Sequence, residues 1–135
     1  MYEFKDIQPF AEKHACEKVE PGSDLFELGI NGDDFHNMMD EFAVSFHVNM
    51  DGYLWYFHTS EEGQNIGALF FPPPNERVKR IPVTPLMLLE AANKGKWSCK
   101  YPTHLIPSKR WDIVTNKIIM FVVFVLMLAY GLKEC

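Results

Sequence analysis

From Ile118 to Leu132 the chain runs fifteen residues without a charged or strongly polar side chain. No other stretch constrains its fold so tightly. A helix on the surface of a soluble protein keeps a polar stripe, and here none exists. Extended back to Ile113, the segment rises about 1.5 Å per residue to roughly 30 Å, the thickness of a bilayer hydrocarbon core. Its backbone groups are satisfied internally, so lipid accepts it. Lys117 lies one turn inside the proposed end, from where its amine can snorkel to the interface. Trp111 and Tyr130 stand near the two ends, as interfacial aromatics do. The competing reading is a helix buried in a hairpin.

Charge is divided as unevenly as hydropathy. Residues 1–76 hold fifteen acidic side chains against three lysines, and residues 77–135 hold ten basic against three acidic. The basic residues cluster ahead of the apolar segment, with only Lys133 beyond it. The positive-inside rule therefore predicts a single-pass membrane protein whose N-terminal domain faces the cytoplasm. No basic stretch followed by an apolar run opens the chain, so no signal peptide is expected. A cytoplasmic domain keeps Cys16 and Cys99 reduced, and leaves Cys135 on the far side, free to pair between chains.

An apolar content of 47% excludes a disordered chain, and three cysteines do not make a disulfide scaffold. A net charge of −5 argues against nucleic acid as a partner. The basic segment 77–117 has three compatible readings: attraction to anionic lipid, topology determination, and contact with the acidic half of the chain.

Ahead of the apolar segment the sequence predicts a mostly α domain. Phe10, Ala11, His14, Ala15 and Lys18 are spaced for a first helix, with Pro9 in its opening turn and Pro21-Gly22 ending it. Leu25, Phe26, Leu28 and Ile30 belong to a loop that dips into the core. Phe35, Met38, Met39, Phe42 and Phe46 fall on one face of a second helix, with Asn31 as N-cap and Asp33 and Asp34 at its positive end. A third helix runs from Thr84 and Pro85 to Gly95, with Trp97 folding back on its last turn. The bulky run Tyr53 to Phe57 suits a short strand or a buried loop, and Pro72 to Pro74 a stiff connector.

The residues leading into the second helix carry a resemblance. Leu28-Gly-Ile-Asn-Gly-Asp-Asp34 resembles the acyl carrier protein signature, in which a leucine-glycine pair leads to Asp-Ser-Leu and the serine opens the second helix. Together with Trp55-Tyr-Phe-His58, and with Ile81-Pro-Val-Thr84 continuing to Gly95-Lys-Trp97, it also resembles a bacterial family of unknown function with an acyl-carrier-like fold. That similarity covers about residues 5–100. It implies a small acyl-carrier-protein-like helical bundle at 1–100 and a bacterial protein, and it does not reach the C-terminal span. Charge and hydropathy add a basic juxtamembrane linker at 101–112, a transmembrane helix at 113–132 and a tail at 133–135, the span then lying in the inner (plasma) membrane.

The departure from true carriers decides the chemistry. In this alignment Gly32 occupies the place of the carrier serine and offers no hydroxyl for a phosphopantetheine arm. Ser23 and Ser45 are the nearest hydroxyls, and neither is in register. The expectation is therefore a domain without enzymatic activity, cofactor or metal. Its acidic second-helix residues Asp33, Asp34, Asp40 and Glu41 would meet a basic protein partner, as such residues do in carriers, or be merely solvated. The rival readings are a carrier modified at another serine and a small membrane protein acting through its apolar helix. His47, His58, Glu61 and Glu62 do not have the ligand spacing of a zinc site. His14 and Cys16 lie two apart on a helix and diverge.

Overall fold

The computed structural model describes all of residues 1–135. It contains four α-helices, α1 (Phe4–Ala15), α2 (Gly32–Ser45), α3 (Pro85–Lys94) and α4 (Trp111–Glu134), three short 3₁₀ turns and no strand. The chain is thus mostly helical, with a long apolar helix at its C-terminal end.

The face of α2 read from the sequence is the centre of the core. Phe35, Met38, Met39 and Phe42 are buried, and Phe46 packs half-buried at the end. They meet Ile7 and Ala11 of α1, Leu88 and Ala91 of α3, and Leu25 and Ile30 from the intervening loop. At the C-terminal end of α2, His47 takes a left-handed conformation (φ 55°) and the Val48 amide donates to the Ala43 carbonyl at 3.0 Å. This is a Schellman closure with histidine where glycine is usual.

Helix α3 has the predicted ends. The Thr84 hydroxyl accepts from the Met87 amide at 3.3 Å, Pro85 follows, and Gly95 is left-handed at φ 69°. Beyond it, Asn49 and Lys96 form an isolated bridge, with Asn49 N donating to Gly95 O and Trp97 N to Asn49 O. That pairing turns the Trp97 ring back into the core.

Two elements differ from the sequence reading. Helix α1 begins six residues before Phe10 and ends at Ala15, because Cys16 adopts a left-handed conformation and closes on the Glu12 carbonyl at 2.8 Å. Pro9 is thus interior to the helix; it is exposed, where water can serve the carbonyl its missing amide leaves free. Residues 53–57 form no strand: Trp55–Phe57 is a 3₁₀ turn, followed by two more at Ile66–Leu69 and Pro74–Glu76.

Helix α4 departs from the domain. It is 24 residues long, sufficient in length and apolarity to cross a membrane, and its apolar stretch is unburied. Only its first turns touch the rest of the chain, against the Ile66–Leu69 turn.

Candidate functional site

The entry to α2 is built by the backbone. Asn31 is extended (φ −140°, ψ 173°), and its side chain makes no capping hydrogen bond. Gly32 then takes φ 53°, and its amide donates to the Thr59 hydroxyl at 2.9 Å. Thr59 is buried, delivered by the 3₁₀ turn at Trp55–Phe57. The cap of α2 therefore comes from 27 residues downstream. A β-carbon on Gly32 would collide with the Glu62 side chain. That side chain is flexible and can swing away, so the left-handed backbone is the stiffer obstacle to any residue but glycine.

Asp33, Asp34 and Asp40 are exposed and make no ion pair. Asp33 and Asp40 are seven residues apart, so they share a face about two turns, or roughly 10 Å, apart along the axis. Glu41 is different. Its carboxylate accepts from Lys13 of α1 at 2.5 Å and lies 3.1 Å from His14 Nε2. The Lys13 contact holds its carboxyl below the usual range. Between these carboxylates, His36 rests edge-on against Trp55, with ring centroids 5.6 Å apart. Glu62, Glu76, Asn65 and Asn75 line a polar cleft in the following loop and extend the acidic surface beyond α2.

The out-of-register hydroxyls are elsewhere. Ser23 Oγ accepts from the Glu20 amide at 3.0 Å in the loop before α2, and Ser45 is exposed at the far end of the helix.

Sequence reasoning missed two constellations. One is a polar hub beneath the domain surface. His58 is fully buried and its Nδ1 lies 2.9 Å from the Ile81 carbonyl, which only accepts, so Nδ1 carries the proton. Nε2 is then the acceptor for the Tyr101 hydroxyl at 2.8 Å. That hydroxyl accepts in turn from Trp97 Nε1 at 2.8 Å and the Leu54 amide at 3.2 Å. Both His58 nitrogens and all the capacity of the Tyr101 hydroxyl are used. Burial pushes the His58 pKa down. The arrangement locks the segment after α3 and leaves no free base for chemistry.

The other constellation fixes α4. Arg110 makes two hydrogen bonds to Glu61 (2.7 and 2.9 Å) and two to Asp112 (2.9 and 2.6 Å). Asn65 Nδ2 donates to Asp112 at 2.9 Å, and the Ile66 amide donates to Asn116 Oδ1 at 2.9 Å. Gly67 packs so tightly on this turn that a β-carbon there would overlap the Asp112 carbonyl. Asp112 is 2% exposed. The opposite charges of Glu61 and Arg110 were visible in the sequence, but nothing local links residues 49 positions apart. With Arg80, which holds Asp24 at 2.7 and 3.1 Å, Arg110 brings the basic segment into contact with the acidic half.

A family model described as a protein of unknown function, DUF1493, matches residues 5–100. The chain belongs to that family. No curated protein and no solved structure matches it. The DUF1493 match takes in α1, α2, α3 and the loop that caps α2, and stops one residue before Tyr101. Tyr101, which closes the His58 hub, and Arg110, Asp112 and Asn116 of the α4 clamp thus lie outside the DUF1493 match, whereas Glu61, Asn65 and Gly67 lie inside it.

Proposed function

We propose that this DUF1493 protein is a membrane-anchored, non-enzymatic relative of acyl carrier proteins that has lost the prosthetic-group serine and acts as a protein-interaction module. The observation that carries this reading is the environment of Gly32. In the alignment with the carrier signature it occupies the serine's place, yet its backbone is left-handed, its amide is spent on Thr59, and Glu62 lies over it. A carboxylate near a helix N-terminus meets the positive end of the macrodipole, which is the interaction a carrier's phosphate makes. Glu62 thus supplies from within the chain the negative charge that the arm would bring.

The surface that remains is acidic. Asp33, Asp34 and Asp40 have no internal cation to satisfy them, so they are available to a basic partner, whereas Glu41 is already engaged by Lys13. Charge complementarity of this kind sets orientation and association rate more than affinity. The anchor is α4, with the domain on the cytoplasmic side where the basic residues gather.

The test is in-cell photo-crosslinking from Asn37, which is exposed between Asp34 and Asp40. A discrete protein adduct is expected, lost in the triple variant Asp33→Lys, Asp34→Lys, Asp40→Lys and retained in Asp51→Lys. An adduct pattern indifferent to the charge reversal would overturn the partner surface.

A further inference from the structure

The 3₁₀ turn Ile66–Leu69 and the two phenylalanines after it form an apolar patch that nothing in the chain covers. Leu69 is 82% exposed, Phe70 65%, and Ile66 and Phe71 40% each. The patch is held at one height on α4. Its first residue is tied by the Ile66 amide to Asn116, and its last packs at a tilt against Trp111 with ring centroids 6.4 Å apart. The patch therefore spans the band of α4 between residues 111 and 116, about 7.5 Å along the axis. Gly67 keeps it pressed against the helix backbone. The uncharged stretch of α4 begins only two residues later, at Ile118.

We propose that this patch is a second membrane contact: Leu69 and Phe70 insert into the headgroup and upper acyl region of the leaflet that α4 enters. The proposal rests on α4 spanning the bilayer, and it adds that the domain is seated on the membrane, not suspended above it. Three observations select lipid as the occupant. The patch is rigidly continuous with the only helix of the chain long and apolar enough to span. Its band on that helix ends two residues before Ile118, where the uncharged stretch begins. Its flank carries interfacial chemistry, with the Lys109 ammonium 4.4 Å from the Trp111 ring centroid and Arg77 held by the Pro72 carbonyl at 2.8 Å. Of the neighbouring carboxylates, Glu61 is paired with Arg110, which it shares with Asp112, while Glu62 and Glu76 line the polar cleft beside Ala68.

The test uses the full chain carrying Cys16→Ser, Cys99→Ala and Cys135→Ser, reconstituted in vesicles of phosphatidylethanolamine with a minority of phosphatidylglycerol. Single cysteines at Leu69, Phe70, Val44 and Phe124 receive a nitroxide, and collisions with oxygen and with a water-soluble nickel complex give depth. Leu69, Phe70 and Val44 are exposed side chains of the domain, so labelling removes no packing. The labels at 69 and 70 are expected between the aqueous Val44 and the hydrocarbon Phe124, with nickel access several-fold below that at Val44. Nickel access equal to Val44 while Phe124 stays in hydrocarbon overturns the patch and leaves the span intact. An aqueous Phe124 overturns the span and the patch with it. Protection of 69 and 70 from both reagents, with spin–spin broadening between copies, assigns the patch to a second copy of the chain and also overturns lipid contact.

Discussion

Gly67 lies against the carbonyl of Asp112 so closely that no side chain fits between them. The contact joins a surface turn of the DUF1493 domain to the first turn of the apolar helix. A basic juxtamembrane linker at 101–112, as the sequence reads, would by itself place no constraint on how α4 leaves the domain. Instead α4 emerges from a fixed seat made by Gly67, Asn65, Glu61 and Arg110.

Replacing Gly67 by alanine forces the turn away from α4. The obstacle is backbone, which cannot rotate aside, so a loss of about 1–3 kcal/mol is expected, as for overpacking. Hydrogen exchange should rise in residues 61–71 and 110–116. Gly22→Ala, where nothing lies within 4 Å of the added carbon, should change neither exchange nor stability appreciably.

Arg110→Ala leaves the Asp112 carboxylate buried with only Asn65 to hold it. Stripping one partner from such a pair costs about 3–5 kcal/mol in buried cases, and the partial exposure of Arg110 places this one at the lower end. Adding Asp112→Asn should recover part of the loss, since the uncompensated charge is then gone. A double-mutant cycle by urea denaturation in detergent measures the coupling.

The two half-buried tyrosines should respond differently to the same change. Tyr101→Phe strands the Leu54 amide, Trp97 Nε1 and His58 Nε2 together, which predicts a loss of about 2–4 kcal/mol. The Tyr53 hydroxyl is buried with no protein partner, so Tyr53→Phe should stay within about 1 kcal/mol of the parent or stabilise it. Thermal melts of the two variants decide the point.

The same hub makes stability depend on pH. His58 is depressed in the folded state by burial, so the unfolded chain binds the proton first. The contribution is therefore complete above the ordinary histidine pKa of about 6.5 and is lost as pH falls below it. Its slope cannot exceed about 1.4 kcal/mol per pH unit for one proton. Urea midpoints between neutral and mildly acidic pH should decline, and His58→Gln should flatten that decline while lowering stability throughout.

What the sequence reveals and what it hides divides by distance along the chain. The α2 face was legible because Phe35, Met38, Met39 and Phe42 repeat with the helix itself. Helix α3 was legible because Thr84, Pro85 and Gly95 act on their own neighbours. Helix α1 was placed too late, because an exposed Pro9 is tolerated inside it and Cys16, not glycine, supplies the left-handed stop. The long loop after α2 was opaque for a different reason. Its order comes from pairs 27 to 50 residues apart, Gly32 with Thr59, Tyr101 with His58, Asn116 with Ile66, and such pairs leave no periodic trace. At the candidate site the exposed aspartates of α2 could be read from helical spacing. The engagement of Glu41 by Lys13, on another helix, could not.

On the proposed reading, the domain is held at the membrane and carries no prosthetic arm. Intact mass of the full-length protein, recovered from its native membrane fraction with the soluble fraction as control, tests both halves together. Recovery from membranes at the mass of the unmodified chain is expected. A phosphopantetheine-sized increment would contradict the reading of Gly32 and make the protein a working carrier, and recovery from the soluble fraction alone would contradict the span.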